Sequence, residues 1–484
     1  MAFFFTLLYI LTAFVSPPVL FGDLHVYHIE LIVALLALAT TLPGVGPSKL
    51  FQQPQTWAIF ALWILIGVSV GINASIREGA TAFYGFLPVM FAYFLTAVNC
   101  RSKRHLQLMF LALFLGSFYF IVHGFLDLRA NVSPSLYLYG EGALRRLRGL
   151  GLINDPNDFS QMMVSLIPCV FLFRRRSAFL NIFVIGIPVA ALVTGLYLAH
   201  SRGAAVGLMA IVILSARRKI GTVPAIVVAG ALFAGSLAFG WSGGRDVSVE
   251  AGADRLDAWV MGIEFIKTHP LLGIGNDRFG ELNYITAHNS IIQCAAEDGF
   301  VGFTCWVMFI FVSMRTAVRL SSAGSGSGED EDEPAVAAAA VPASPKDAWA
   351  MMLARAKEPA AESVSARPAV AAPSLGTGAA LRWGAVNQGI DMVGDPREIQ
   401  TMARLLLLAL TGFLTAGWFL SRALSPWMFM YGGLLFALER MAASRQIVLK
   451  KDPFSFVLKW SVIIGLSLLT LVYITLKVRS KMGQ

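Results

Sequence analysis

The sequence predicts an all-α fold: a polytopic membrane helix bundle of about 12–13 transmembrane helices, with exported loops that carry one short amphipathic helix. Three observations predict it. Of the 484 residues 56% are hydrophobic and 14% charged, with a mean hydropathy of +0.67, and a soluble chain of this length could not hide so much apolar surface. Apolar runs long enough to span a bilayer recur at 3–21, 27–44, 57–74, 81–99, 106–126, 158–173, 178–199, 203–216, 222–241, 288–314, 403–421, 426–439 and 454–476. Basic residues punctuate the short connections between them. No β-barrel alternation is present.

The first run has no Lys or Arg before it and no small-residue cleavage site after it, so it reads as a retained helix rather than a signal peptide. The basic connections are Arg101 to Arg104, Arg174 to Arg176, Arg217 to Lys219, Arg315 with Arg319, and Arg440 to Lys451. All fall on one side, which the positive-inside rule makes cytoplasmic. Lys477, Arg479 and Lys481 then fall outside, so either the short run 426–439 is re-entrant or the last helix is miscounted. The net charge of +9 is mostly this loop bias. Nucleic-acid binding is not implied, because no basic face with interleaved aromatics lies in a soluble segment large enough to fold. Cys100, Cys169, Cys294 and Cys305 sit in or beside the runs, which argues against a structural disulfide.

Three regions follow. Residues 1–320 form a transmembrane bundle with long exported loops at 127–157 and 242–287. Residues 321–402 hold a Gly-Ser repeat, the acidic run Glu329 to Glu333 and an Ala/Pro/Ser-rich stretch, the composition of a disordered cytoplasmic insert. Residues 403–484 form C-terminal transmembrane helices. The two long loops and the brief turns 75–80 and 200–202 should meet above the bundle.

In the second long loop Asp254 caps a helix in which Leu256, Trp259, Val260, Ile263 and Ile266 recur at helical spacing, and Pro270, Gly273 and Gly275 end it. Such a helix should lie in the membrane interface with Trp259 at headgroup level. Arg255, in its first turn, opposes the helix dipole, and an anionic ligand would give that cation a reason to be there. Arg202, in His200-Ser201-Arg202-Gly203, and the group Arg145, Arg146 and Arg148 are further cations on the exported side. Snorkelling to headgroups is the competing reading. Guanidinium groups suit a diphosphate, since they are always charged and bind phosphate oxygens bidentately without a metal.

The most informative pattern is His288-Asn289, nine residues, then Gly299-Phe300-Val301-Gly302. If 288–306 is helical, Gly299 lies about 20° and Gly302 about 40° from His288 around the axis, so a stripe of small residues would set the height at which the histidine is presented. An imidazole near neutral pKa can take a proton from an attacking hydroxyl, and Asn289 can orient the hydroxyl or the ring. Asn154-Asp155-Pro156-Asn157-Asp158 reads first as a helix cap, although its amides may also face a sugar. Glu297, buried in the tenth run, needs a partner or a proton, and a structural partner is favoured over catalysis.

Taken together, Arg148-Gly149 with Asn154 to Asn157, Ser201-Arg202-Gly203, Arg255 with Trp259 leading to His269-Pro270-Leu271-Leu272-Gly273-Ile274-Gly275, and His288-Asn289 through Gly302 resemble the O-antigen ligase and O-antigen polymerase superfamily. The resemblance spans about residues 140–315. It implies a C-type glycosyltransferase in the bacterial inner membrane, with its active site facing the periplasm. Its partners would be an undecaprenyl-diphosphate-linked glycan, an acceptor glycolipid, glycan or protein, and membrane lipid, with no metal and no cofactor. Carried over, His288, Arg202 and Arg255 are the catalytic residues, His288 handling the acceptor hydroxyl and the arginines clamping the diphosphate. Arg148, Asn154, Asn157 and Asn289 bind substrate. Transfer to lipid A core or protein is the first expectation, polymerisation of lipid-linked repeats the second, and transport of a lipid-linked glycan a distant third.

Overall fold

The computed structural model describes residues 1–45, 50–140, 144–238, 240–241, 253–323 and 396–482. Each predicted apolar run is helical. In chain order the main elements are α1 (Ala2–Val15), α2 (Ile29–Thr41), α3 (Pro54–Asn73), α4 (Ile76–Gly85), α5 (Leu87–Asn99), α6 (Lys103–Arg129), the two-stranded ribbon β1 (Leu138–Tyr139) and β2 (Arg146–Leu147), α7 (Pro156–Val170), α8 (Ile187–Ala199), α9 (Arg202–Ile220), α10 (Thr222–Ala238), α11 (Ala253–Thr268), α12 (Ser290–Ser322), α13 (Pro396–Gly417), α14 (Pro426–Ser444) and α15 (Phe454–Met482). Among the described residues seven helices are long and apolar enough to cross a membrane, and three further apolar helices are shorter. The chain is an all-α, multi-pass membrane protein.

The centre of the bundle is α14, in which every residue from Trp427 to Leu438 is buried. It packs along α5 at backbone distance: a β-carbon on Gly433 would lie 2.2 Å from Thr96 Oγ1 and 2.5 Å from the Tyr93 carbonyl oxygen. Buried hydroxyls here are paired, Tyr431 donating to Ser165 Oγ at 2.9 Å and Tyr93 sharing a 2.6 Å bond with Thr56, as a low-dielectric interior requires.

Charges gather at the end of the bundle remote from His288. There Arg315 grips Asp452 with two bonds of 2.7 and 2.9 Å, Arg319 adds a third at 3.1 Å, and Glu398 pairs with Lys103 and Arg445 at 2.8 and 3.2 Å. Arg315 lies roughly 38 Å along α12 from its start, at 1.5 Å per residue. From Asp452, α15 runs back to the other end, where Val472 is buried beside Trp259 and Ile292. The run 426–439 is therefore no re-entrant hairpin, and the end of α15 that carries Lys477 does stand on the His288 side.

Several local expectations are corrected. The helix α12 begins at Ser290 and runs through Ser322, and α13 begins at Pro396, so both ends of the 321–402 stretch are helical; residues 324–395 lie outside the described residues. Asp254 sits in the first turn of α11 rather than at its cap. Trp259 is buried among protein side chains, with its indole N–H donating to the Ala287 carbonyl at 2.9 Å.

The histidine-over-glycine stripe does not form, because His288 precedes the helix and Gly299 breaks it, at φ 65° and ψ −174°. The physical reason is the loop 270–275, which docks into the break through backbone bonds from Ile274 N to Ala296 O (2.9 Å), Gly275 N to Glu297 O (3.0 Å), Phe300 N to Pro270 O (2.8 Å) and Val301 N to Leu271 O (3.2 Å). These satisfy the peptide groups that the kink frees. A β-carbon on Gly299 would be 2.4 Å from Gly273 N and from Leu271 C, and one on Gly273 would be 2.3 Å from Glu297 O. The glycines of both motifs thus meet each other.

Candidate functional site

Three elements hold His288. Asn289 caps α12, its side-chain oxygen accepting from Ile291 N at 2.9 Å and Ile292 N at 3.1 Å. The preceding carbonyl, of Ala287, is held by Trp259 of α11. The His288 N–H donates to Ser421 Oγ at 2.7 Å, in the turn between α13 and α14. With both neighbours fixed, His288 takes a left-handed conformation, φ 47°, that a branch-bearing residue rarely adopts unless its surroundings impose it.

Three guanidinium groups lead up to it, Arg255 acting on His288, Arg202 on Arg255, and both of these arginines on Arg146. Arg202 is the first residue of α9, just after Ser201, whose hydroxyl caps the helix by accepting from Ala204 N at 3.4 Å. The break between α8 and α9 is made at His200, φ 51°, with Trp241 donating to the Ser201 carbonyl at 3.0 Å. Arg255 lies in the first turn of α11. Arg146, on β2 opposite Tyr139, is buried, donating from Nε to the Ala199 carbonyl at the end of α8 (2.9 Å) and from a terminal nitrogen to Asn157 Oδ1 (2.7 Å).

The charges are close enough to act on one another. Burial, and then Arg202, hold Arg255 below its ordinary value. Burial also lowers Arg146; Asp155 and Tyr139 oppose that shift, while Arg202 and Arg255 reinforce it. His288 is lowered from its ordinary 6.5, first by burial and then by Arg255, with Asp155 opposing. A neutral imidazole beside like-charged guanidiniums follows. Two helix N-termini, those of α9 and α11, carry these cations, so dipoles and side chains together make a field that an anion would relieve.

The remaining residues singled out from the sequence are placed as follows. Arg148 is tied to the Leu136 and Ser135 carbonyls at 3.0 and 3.2 Å, and Arg145 to Val132 and Asn131, so of the three neighbouring arginines it is Arg146 that turns inward. Asn157 is the acceptor that positions Arg146, Asn289 is the helix cap, and Asn154 is exposed. Glu297 accepts from Phe279 N at 3.2 Å, a structural partner. Sequence reasoning missed Arg422, which follows the insert and has no local motif: it pairs with buried Asp158 at 2.6 Å, and its N–H donates to Ser290 Oγ at 3.2 Å. Among the described residues no three His, Cys, Asp or Glu side chains gather as a metal would require.

Two cavities have Arg422 in their walls. One, of about 560 Å³, is almost wholly apolar and lies among α12, α13 and α15, with Val206, Trp306, Phe311 and Leu468 in its walls and Arg422 at its polar edge. Val206 is one turn below Arg202 on the same face of α9. The other, of about 530 Å³, is polar and includes Ser421, Arg422, Asp277 and Glu281.

Fold and site together define a multi-pass membrane protein with a half-buried histidine and a group of arginines, Arg146 among them buried, at one end of the bundle. Residues 161–307, the segment that holds Arg202, Arg255 and His288, match the family model O-antigen ligase, in agreement with the motifs. Arg146 and Arg422 lie outside the matched residues. No curated protein matches the chain.

Proposed function

We propose that the protein is a ligase-type glycosyltransferase of the bacterial inner membrane that moves a glycan from an undecaprenyl-diphosphate carrier to an acceptor hydroxyl on the periplasmic side. The reading is supported by the placement of Arg202 and Arg255 in the first turns of α9 and α11, of Arg146 against the end of α8, and of His288 in the turn held through Trp259 and Ser421. The apolar cavity that begins one turn below Arg202 suits a polyprenyl tail.

In the reaction, the acceptor oxygen bonds to the anomeric carbon as the bond from that carbon to the diphosphate oxygen breaks, its electron pair leaving on the diphosphate. His288 takes the hydroxyl proton. Attack comes from the face opposite the leaving group, so the anomeric configuration inverts. Negative charge on the leaving group grows toward the transition state, and guanidiniums already fixed in place stabilise it more than the ground state. Asn157 acts by holding Arg146.

The test is transfer by the full chain, purified and reconstituted in liposomes with an undecaprenyl-diphosphate-linked glycan and an acceptor glycolipid. His288→Ala should abolish transfer while retaining the donor, and Arg255→Ala should lose both. Wild-type transfer rates in His288→Ala would remove the histidine from the mechanism.

A further inference from the structure

We propose that the polar cavity of about 530 Å³ is the acceptor site, and that it takes the uncharged, hydroxyl-bearing end of a glycan rather than a phosphorylated group. The assignment rests on the glycosyltransferase reading above and adds to it a place and a chemical class for the second substrate. The cavity opens among α4 with the start of α5, the 276–281 segment and the turn between α13 and α14. Its wall includes Ser421, the residue whose hydroxyl holds the His288 N–H, and Leu152, three residues before the Asp155 whose charge acts on His288. The cavity thus shares Ser421 with the backbone turn that holds His288, while none of Arg146, Arg202 and Arg255 lines it.

Its chemistry is the reverse of the donor side. Three carboxylates, of Glu78, Asp277 and Glu281, face two guanidiniums, of Arg278 and Arg422. Both guanidiniums already have acidic partners: Arg278 pairs with Glu281 at 3.6 Å and donates to the Asn73 carbonyl at 2.7 Å, and Arg422 pairs with Asp158. A phosphate entering this cavity would meet net negative charge. Sugar hydroxyls, in contrast, find acceptors in the carboxylates. Two buried polar atoms of wall residues have no hydrogen-bond partner among the described residues, the acceptor Gln293 Oε1, in the first turn of α12, and the donor Arg278 Nε, and a hydroxyl, which both donates and accepts, suits such a pair.

Gly85 offers a clean way to occupy the space, because it lines the cavity and a β-carbon added to it meets nothing within 4 Å. The experiment uses the full chain in membranes of the source cell, which supply both natural substrates. Two quantities are read for each variant: glycan transferred, and undecaprenyl diphosphate co-purifying with the protein by mass spectrometry. Gly85→Leu should cut transfer by at least about tenfold with the co-purifying donor unchanged. Glu281→Ala, at a side chain 69% exposed, should cut transfer several-fold, also with the donor retained, and it decides the matter alone if Gly85→Leu does not fold. Wild-type transfer by Glu281→Ala, or loss of the donor from it as from Arg255→Ala, overturns the acceptor assignment and leaves the glycosyltransferase reading standing. A wild-type protein that neither retains a lipid diphosphate nor transfers glycan takes both down.

Discussion

Replacing Arg146 and Arg148 by alanine, one at a time, separates the inward arginine from its neighbour two residues away. Arg146 is 8% exposed and makes two charge-assisted bonds, to the Ala199 carbonyl and to Asn157, each worth about 1.5–3 kcal/mol. Its removal also relieves repulsion from Arg202 and Arg255, which offsets part of that loss, so the ligand-free protein should be destabilised by about 2 kcal/mol. Affinity for the lipid-diphosphate donor should fall further. Loss of one charged contact to a phosphate, again about 1.5–3 kcal/mol, corresponds to roughly 10–150-fold in Kd. Arg148 bonds only to loop carbonyls at a wetter surface, and its alanine variant should hold donor affinity within about twofold and lose about 1 kcal/mol or less. The assays are donor titration in detergent micelles and thermal unfolding in the same detergent. Equal donor affinities in the two variants, or the weaker one in Arg148→Ala, would refute the assignment of Arg146 to the anion pocket.

Two further outcomes follow from the same geometry. Because His288 is held below 6.5, transfer by the free enzyme should be at full rate above pH 6.5 and decline only as pH falls through the lowered value. Arg255→Gln removes one cause of the lowering and should move that acid limb upward; an unmoved limb in a variant with residual activity separates the two groups. The same shift means that the folded state binds fewer protons than the unfolded chain, so stability from this group is present above 6.5 and is lost as pH falls through the folded value. Gly299→Ala places a β-carbon 2.4 Å from backbone atoms of the 270–275 loop at a positive φ. Strain of about 1–3 kcal/mol and weakened loop–helix bonds of about 1 kcal/mol each should together destabilise the protein by on the order of 4 kcal/mol. An unchanged melting temperature in detergent would show that the loop is not anchored at the break.

Helical class and the positions of the apolar runs were legible from the sequence alone, which also offered Arg202, Arg255 and His288 as one set of candidates. Those features are local: a bilayer forces each crossing segment to satisfy its own peptide groups, so hydropathy along the chain reports it directly, and a cation at a helix N-terminus stands out against the dipole wherever the helix lies. Which of three neighbouring arginines turns inward was not legible, because it depends on the Ala199 carbonyl, 53 residues from Arg146 in sequence. Nor was the break at Gly299. Helical spacing treats Gly299 and Gly302 as one face of a continuous helix, whereas the peptide bonds of the 270–275 loop, once brought alongside, compete for the same backbone groups and win. The turn that fixes His288 through Ser421, and Arg422 beside it, enters from 133 residues further along the chain. Sequence sets what each segment can be, by burial and periodicity; only packing decides which distant carbonyl, hydroxyl or charge completes it, since hydrogen bonds and Coulomb forces act across space and ignore position along the chain.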